Sequence, residues 1–263
     1  MLVGCGGGTD LTQGMSADQL LSESVTRTGA VASYRFGLDL DATLEVSGAG
    51  AFTGILSTPL EISGEGAATK SGDFSLDATA DLGPAAIQAN ITRVGDALYL
   101  SVLGQAIRLD VPAATVRSLN AARLAPAIAG WITDAEIVGT EEVDGVPVVH
   151  IRGRVDEKAL ADSIAGLVEG LGAGDAVNAG AGGTDGDLDT GVVDVWVGQE
   201  DLLIHRTTAE VVSKDQLATI PAVGSLDIRI SVTLSEFGAT VAILAPSGAR
   251  TVNLDSIASL LGG

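Results

Sequence analysis

The sequence predicts an α+β fold in which an antiparallel meander of strands carries a few helices, and three observations predict it. Stretches with a two-residue hydrophobic period recur along the chain, turn residues separate them at short intervals, and a few stretches between them switch to helical spacing. Short loops can join antiparallel strands, whereas parallel strands need long crossovers. A length of 263 residues fits one large β-rich domain or two small ones.

Taken in order, residues 6–15 (GGGTDLTQGM) read as a flexible tether. Ser16 is the expected N-cap of a helix over SADQLLSESVTRTG, with Leu20, Leu21 and Val25 on one side and Gly29 as its stop. In YRFGLDLDATLEV, Tyr34, Phe36, Leu38, Leu40, Leu44 and Val46 alternate with Arg35, Asp39, Asp41, Thr43 and Glu45, the pattern of a strand with one wet face. Leu60 and Ile62 then alternate with Glu61 and Ser63, and Phe74, Leu76, Ala78 and Ala80 alternate with Asp73, Ser75, Asp77, Thr79 and Asp81. Gly95-Asp96 marks a hairpin between AIQANITRV and ALYLSVL.

From Pro112, PAATVRSLNAARLAPAIAGWI reads as a helix kinked at Pro126. The strands AEIVGTEEV and VPVVHIRGRV turn at Asp144-Gly145, and Asp156 is placed to cap a helix over EKALADSIAGLVEGL. Residues 172–190 form a low-complexity, glycine-rich loop, expected at the edge of any cavity. VVDVWVG, DLLIHRTTAEVV and LDIRISVTLSEF complete the sheet; in the last, Ile228, Ile230 and Val232 alternate with Asp227, Arg229, Ser231 and Thr233.

Composition bounds the function. Fourteen Lys and Arg stand against 34 Asp and Glu, and the resulting net charge of −20 excludes nucleic acid as a partner. The same charge repels anionic lipid, so membrane residence needs an anchor. Hydrophobic residues make up 46% of the chain but aromatic ones only 3%, which implies either a partly unfilled interior or a coding bias towards Ala and Gly.

The one cysteine, Cys5, sits in MLVGCGGG and has no partner for an intrachain disulfide. Leu2-Val3-Gly4-Cys5 looks like a lipobox, which would place a diacylglycerol thioether and a further acyl chain such as palmitate on Cys5; the alternative is a chance LVGC. Only four residues precede Cys5, so the signal peptide is expected upstream of residue 1. The chain has no apolar run of 18 residues or more.

No catalytic pattern stands out along the chain. His150 and His205 stand inside expected strands without a second metal-ligand pattern and read as structural. Asp185, Asp187 and Asp189 have the alternate spacing of a calcium loop, but the glycine stands at 191 and no glutamate follows at the twelfth place, so they read as a solvated acidic loop. Gly170, Gly172 and Gly174 read as linker, Trp131 and Trp196 as packing anchors. No G-x-S-x-G occurs, and Cys5 has no paired base. No enzyme activity, no metal site and no cofactor are expected.

Four stretches in this order resemble the LppX/LprA/LprF/LprG family of actinobacterial lipoproteins, related in shape to the carriers LolA and LolB. SYRFGLDL resembles the family's opening strand, RVGDALYLSV its R-x-G-D-x-L-Y hairpin, VDVWVGQEDLLIHR its V-D-V-W-V strand and following turn, and VTLSEFGATVAILAP its closing signature. The resemblance covers about residues 16–246 as one lipid-binding domain, with 1–15 as lipobox remnant and tether and 247–263 as a C-terminal extension. The turn after Trp196 lacks a proline often seen before Arg206, and Thr240 stands where the family often has proline.

What the resemblance implies is a strongly curved antiparallel β half-barrel with helices packed across its concave face and a cavity for acyl chains between them. The expected cavity wall comprises Phe36, Leu38, Leu40, Leu60, Ile62, Phe74, Leu76, Ile228, Ile230 and Val232. The function expected is a membrane-anchored extracytoplasmic carrier of lipid or glycolipid acyl chains, with an envelope transporter as a partner. The alternatives are a surface lipoprotein that binds protein partners and a hydrolase whose residues are dispersed along the chain.

Overall fold

The structure is a computed structural model that describes residues 10–46, 59–81, 86–111, 113, 116, 124–156, 158–160, 190–213 and 223–253. Among the described residues twelve strands form one curved, unclosed sheet: β1 (Ser33–Val46), β2 (Leu60–Thr69), β3 (Phe74–Asp81), β4 (Ala86–Val94), β5 (Ala97–Val102), β6 (Gln105–Asp110), β7 (Ile132–Val143), β8 (Val146–Val155), β9 (Thr190–Gly198), β10 (Ile204–Ser213), β11 (Val223–Ser235) and β12 (Arg250–Asn253). Their spatial order is β12-β6-β5-β4-β3-β2-β1-β11-β10-β9-β8-β7. Every pairing is antiparallel except β12 with β6, so the meander expected from the short loops is present.

Helices α1 (Ala17–Ala30) and α2 (Leu124–Ala129) pack on the concave face, called the inner face below. Helix α1 begins as its sequence predicts. Ser16 N–H donates to Gln19 Oε1 at 2.9 Å and Gln19 N–H donates to Ser16 Oγ at 3.3 Å, a reciprocal cap that satisfies two otherwise unpaired amides. The helix runs one residue past the expected stop at Gly29 and ends at Val31, whose N–H donates to the Thr28 carbonyl. Its buried Leu20, Leu21 and Thr28 face the sheet, and Thr28 Oγ1 accepts the Ile204 N–H at 2.9 Å, tying α1 to β10. Pro126 sits within α2, near its start, where a missing N–H costs least.

Two strands were not anticipated. Strand β6 follows β5 through Leu103-Gly104, both at positive φ (51° and 75°), the two-residue turn whose twist suits a hairpin. Strand β12 belongs to the segment expected as a C-terminal extension. After β11 the chain passes over the outer face, where Ala242 and Ile243 share a groove with Arg35, Glu65, Ser75 and Asp77, and then pairs with β6 at the far edge. At the other end of the chain, the expected tether is docked from residue 11 onward: Leu11 N–H donates to the Gln199 carbonyl at 2.8 Å, and Thr12 is buried. Cys5, residues 161–189 and residues 254–263 lie outside the described residues, and with them the acidic triplet at 185–189, the glycines at 170–174 and all of the predicted loop but Thr190.

Candidate functional site: the inner wall

Strand register converts the alternating apolar residues into rows across the inner face. The first row is Tyr34, Ala68, Phe74, Arg93, Leu98 and Leu109; the second is Leu234, Phe36, Gly66, Leu76, Ile91, Leu100 and Ile107. The third is Val232, Leu38, Gly64, Ala78, Ala89 and Val102; the fourth is Ile230, Leu40, Ile62, Ala80 and Ile87; the fifth is Ile228, Ala42 and Leu60. All ten residues expected to form the wall stand on this one face.

They do not share one environment. Phe36, Phe74, Leu76 and Val232 are buried in the hydrophobic core with Leu20, Leu21, Ala125 and Ile128 of the helices. Leu38, Leu40, Leu60, Ile62, Ile228 and Ile230 are half-buried, and Ile87 at the end of the fourth row is exposed. Burial therefore falls from the first row, buried from Tyr34 to Leu98, to the fourth, where Leu40, Ile62 and Ile230 are half-buried and Ile87 exposed, although Ile91 and Leu100 in the second row are also half-buried and Ala42 in the fifth is buried; no charged side chain stands in the third, fourth or fifth row. Across β8–β10 the same levels are closed: Ile151, Val193, Val195, Thr207, Ala209 and Val211 are all buried.

Aromatic rings seal the upper end. Phe237, just after β11, stands 6.3 Å from the Tyr34 ring and 5.1 Å from the His205 ring, and Tyr34 meets Phe36 edge-on at 6.4 Å. Burial pushes the Tyr34 hydroxyl well above its ordinary pKa. His205 Nε2 pairs with Asp201 Oδ2 at 3.0 Å, and Asp201 Oδ1 accepts the Leu203 N–H at 2.9 Å. Burial raises the Asp201 pKa, but the His205 and Leu203 hydrogen bonds outweigh it and leave the carboxyl below its usual range.

Small residues shape the wall. A Cβ on Gly66 would lie 2.5 Å from Phe36 Cζ, and one on Gly64 would lie 2.9 Å from Leu76 Cδ1, so β2 is the strand over which its neighbours' side chains fold. This signal was absent from the apolar count, because glycine registers as neither apolar nor polar in an alternation pattern.

The outer face is chemically different. His150, on β8, holds Glu141 Oε1 at 2.8 Å through Nδ1 and Asp194 Oδ1 at 2.6 Å through Nε2, and stacks on Trp196 at 4.5 Å. Trp196 Nε1–H donates to Glu141 Oε2 and Arg152 Nε–H donates to Asp194 Oδ1. The Trp196 and His150 hydrogen bonds hold the Glu141 carboxyl below its usual range. The ring of Trp196 lies between His150 and Arg206, so this network ties β7, β8, β9 and β10 together with both aromatic faces occupied. Trp131 packs against the core from the helix side. Two grooves of about 440 and 550 Å³ also open on the outer face; Asp39, Asp41, Asp194, Glu210, Arg152 and Arg229 stand in the lining of the first, and Arg35, Glu65, Asp77 and Glu236 in that of the second. Among the described residues no cluster of three His, Cys, Asp or Glu could hold a metal ion.

No family model and no curated protein sequence matches the chain. Among solved structures it is similar to LprF from Mycobacterium bovis, with a TM-score of 0.54 and 19% identity over 88% of this chain and 97% of that one. It is also similar to the lipoprotein LppX of Mycobacterium tuberculosis, with a TM-score of 0.48 and 16% identity over 87% of this chain and all of that one. The fold is the LprF fold, the one that the sequence resemblance implies.

Proposed function

We propose that the chain is an extracytoplasmic lipoprotein, exported by a signal peptide and anchored through acyl chains on Cys5. It takes the acyl chains of a lipid or glycolipid against the lower rows of its inner wall and carries them between membrane and envelope. The observation that supports this most is the fall in burial along the inner face, from buried Phe36 and Phe74 to half-buried Leu40, Ile62 and Ile230 in rows that carry no charge. An acyl chain requires a surface of this kind, because its methylenes gain about 0.8 kcal/mol each on leaving water and gain nothing from a charge.

Energetics fit a passive carrier. Two long chains represent roughly 20 kcal/mol of gross burial, but a membrane and an apolar wall hold that energy almost equally, so exchange between them is close to neutral and needs neither ATP nor a catalytic group. An envelope transporter would be the partner at the receiving end. The LprF fold supports the reading.

Mass spectrometry of organic extracts from gently purified protein tests it. A lipid bearing one or more long acyl chains should co-purify, and a fluorescent phospholipid should displace it. A chain that purifies free of lipid and takes up no fluorescent phospholipid overturns the proposal.

A further inference from the structure

Two leucines among the described residues take a left-handed backbone, Leu103 and Leu202 (φ 58°), and of the two only Leu202 is buried. Leu103 occupies the first central position of a two-residue turn at φ 51°, a left-handed conformation that Gly, Asn and Asp tolerate and leucine disfavours. The equivalent turn between β7 and β8 uses Asp144-Gly145, with φ of 50° and 82°. Leu103 is also 93% exposed, so its side chain gains no burial in exchange for the unfavourable backbone.

Its position gives this a meaning. The outermost pair of β4 and β5 is Ala89 with Val102, which places Ile87 and Leu103 beyond it at the same end of the sheet. Ile87 is 40% exposed and ends the fourth row of the wall, next to Ala80 and Ile62. This is the open end of the wall. Between residues 86 and 107 only Arg93 and Asp96 carry charge, and both lie towards the opposite end, at the β4–β5 turn. The carboxylates of β1–β3 at the open end, Asp41, Glu61 and Asp81, stand on the outer face. A chain of net charge −20 thus presents, beside the half-open rows, a corner whose own residues 86–90 and 101–107 carry no charge, flanked by Asp81 on β3 and Arg250 on β12.

We propose that this corner, with Leu103 at its tip and Ile87 behind it, docks on the surface of a lipid bilayer and sets the open end of the wall against the acyl layer. The inference rests on the carrier reading and adds to it the place of exchange. Charge argues for a bilayer, since residues 86–90 and 101–107 bring no carboxylate of their own to the head groups and Asp81 beside them stands on the outer face. A buried leucine tip also repays in the membrane what it forgoes in water.

The variant Leu103→Asn separates docking from folding, because asparagine suits the left-handed position and should leave the fold equally or more stable. It is made in the full chain with Cys5→Ser, so that no attached lipid holds the protein to the membrane. Partition onto phosphatidylcholine vesicles should weaken about tenfold, near the lower end of what burying one leucine side chain provides. Transfer of a fluorescent phospholipid between vesicles should slow with it, while equilibrium uptake of the probe in solution stays as in the parent chain. Ile87→Ser, on the neighbouring strand, should weaken partition in the same direction. Unchanged vesicle partition in both variants overturns the docking proposal, including the case in which the corner serves a protein partner. A parent chain that takes up no probe at all overturns the carrier reading, a result distinct from the first.

Discussion

The ring of Phe36 lies over Gly66 on the neighbouring strand, so close that a Cβ on residue 66 would sit 2.5 Å from Phe36 Cζ and 2.5 Å from the Ser75 carbonyl oxygen. The pair shows how this sheet makes room on its inner face: a side chain is removed from β2 so that an aromatic ring of β1 can lie across it. Gly66→Ala should therefore destabilise the fold by about 1–3 kcal/mol, read as a lower urea midpoint with an unchanged slope. Shortening the ring in Phe36→Leu/Gly66→Ala should recover only part of the loss, because the Ser75 carbonyl remains in place.

Core and wall can be told apart with one kind of substitution. Val232 is 1% exposed within the packed core, so Val232→Trp should overpack it and cost about 1–3 kcal/mol or more. Ile62 stands in the half-open fourth row, and Ile62→Trp should block uptake of a fluorescent phospholipid while moving the urea midpoint little. Equal destabilisation by the two would mean that the lower rows are filled as tightly as the upper ones.

Thr207 is buried in the same inner layer as Val232 and Val195, and its hydroxyl has no hydrogen-bond partner. Removing an unsatisfied buried hydroxyl relieves its desolvation cost. Thr207→Val should raise stability by about 1 kcal/mol, measured by thermal and urea unfolding together. A loss of stability would show that the hydroxyl is satisfied after all, by a buried water.

Acid should loosen the turn before β10. The Asp201 carboxyl is held below its usual range in the folded chain, so its ionised form contributes stability that is fully present above the unfolded value near pH 4. That contribution is lost as pH falls through the lower folded value. In Asp201→Asn the urea midpoint should be lower than in the parent chain at neutral pH, and the gap should close below about pH 4. A constant gap across that range would assign the effect to packing of the turn.

Acylation of Cys5 has a direct readout. In cells expressing the full precursor with its native upstream codons, an alkyne fatty acid should label the parent protein and miss Cys5→Ala. Equal labelling of both would remove the anchor from the proposal.

Much of this architecture was legible in the sequence because it is local. Phe36, Leu38 and Leu40 alternate with charged or small neighbours, and Ile228, Ile230 and Val232 do the same, since an antiparallel strand with one wet face must send successive side chains to opposite environments. Ser16 with Gln19, and Asp144 with Gly145, likewise carry their structural role within a few residues. Strand β6 escaped notice because its six residues contribute only Ile107 and Leu109 as strongly apolar positions, and its turn uses leucine where a turn residue is expected. Strand β12 left no signal at all: four residues cannot show a period, and their partner is Ile107–Asp110, far earlier in the chain.

What tertiary structure alone decided is which part of one continuous apolar face is core and which is wall. Phe36 and Leu40 follow the same alternation on the same strand, yet one is buried and the other half-open. The difference comes from what lies over each position: Tyr34 meets the Phe36 ring edge-on and that ring folds over Gly66, whereas Leu40 lies farther down the same strand. Alternation records only which way a side chain points from its own strand, while burial depends on what is packed against that face. Leu20, Leu21, Ala125 and Ile128, brought from elsewhere in the chain, join the same core where the helices pack on β7 and β9–β11.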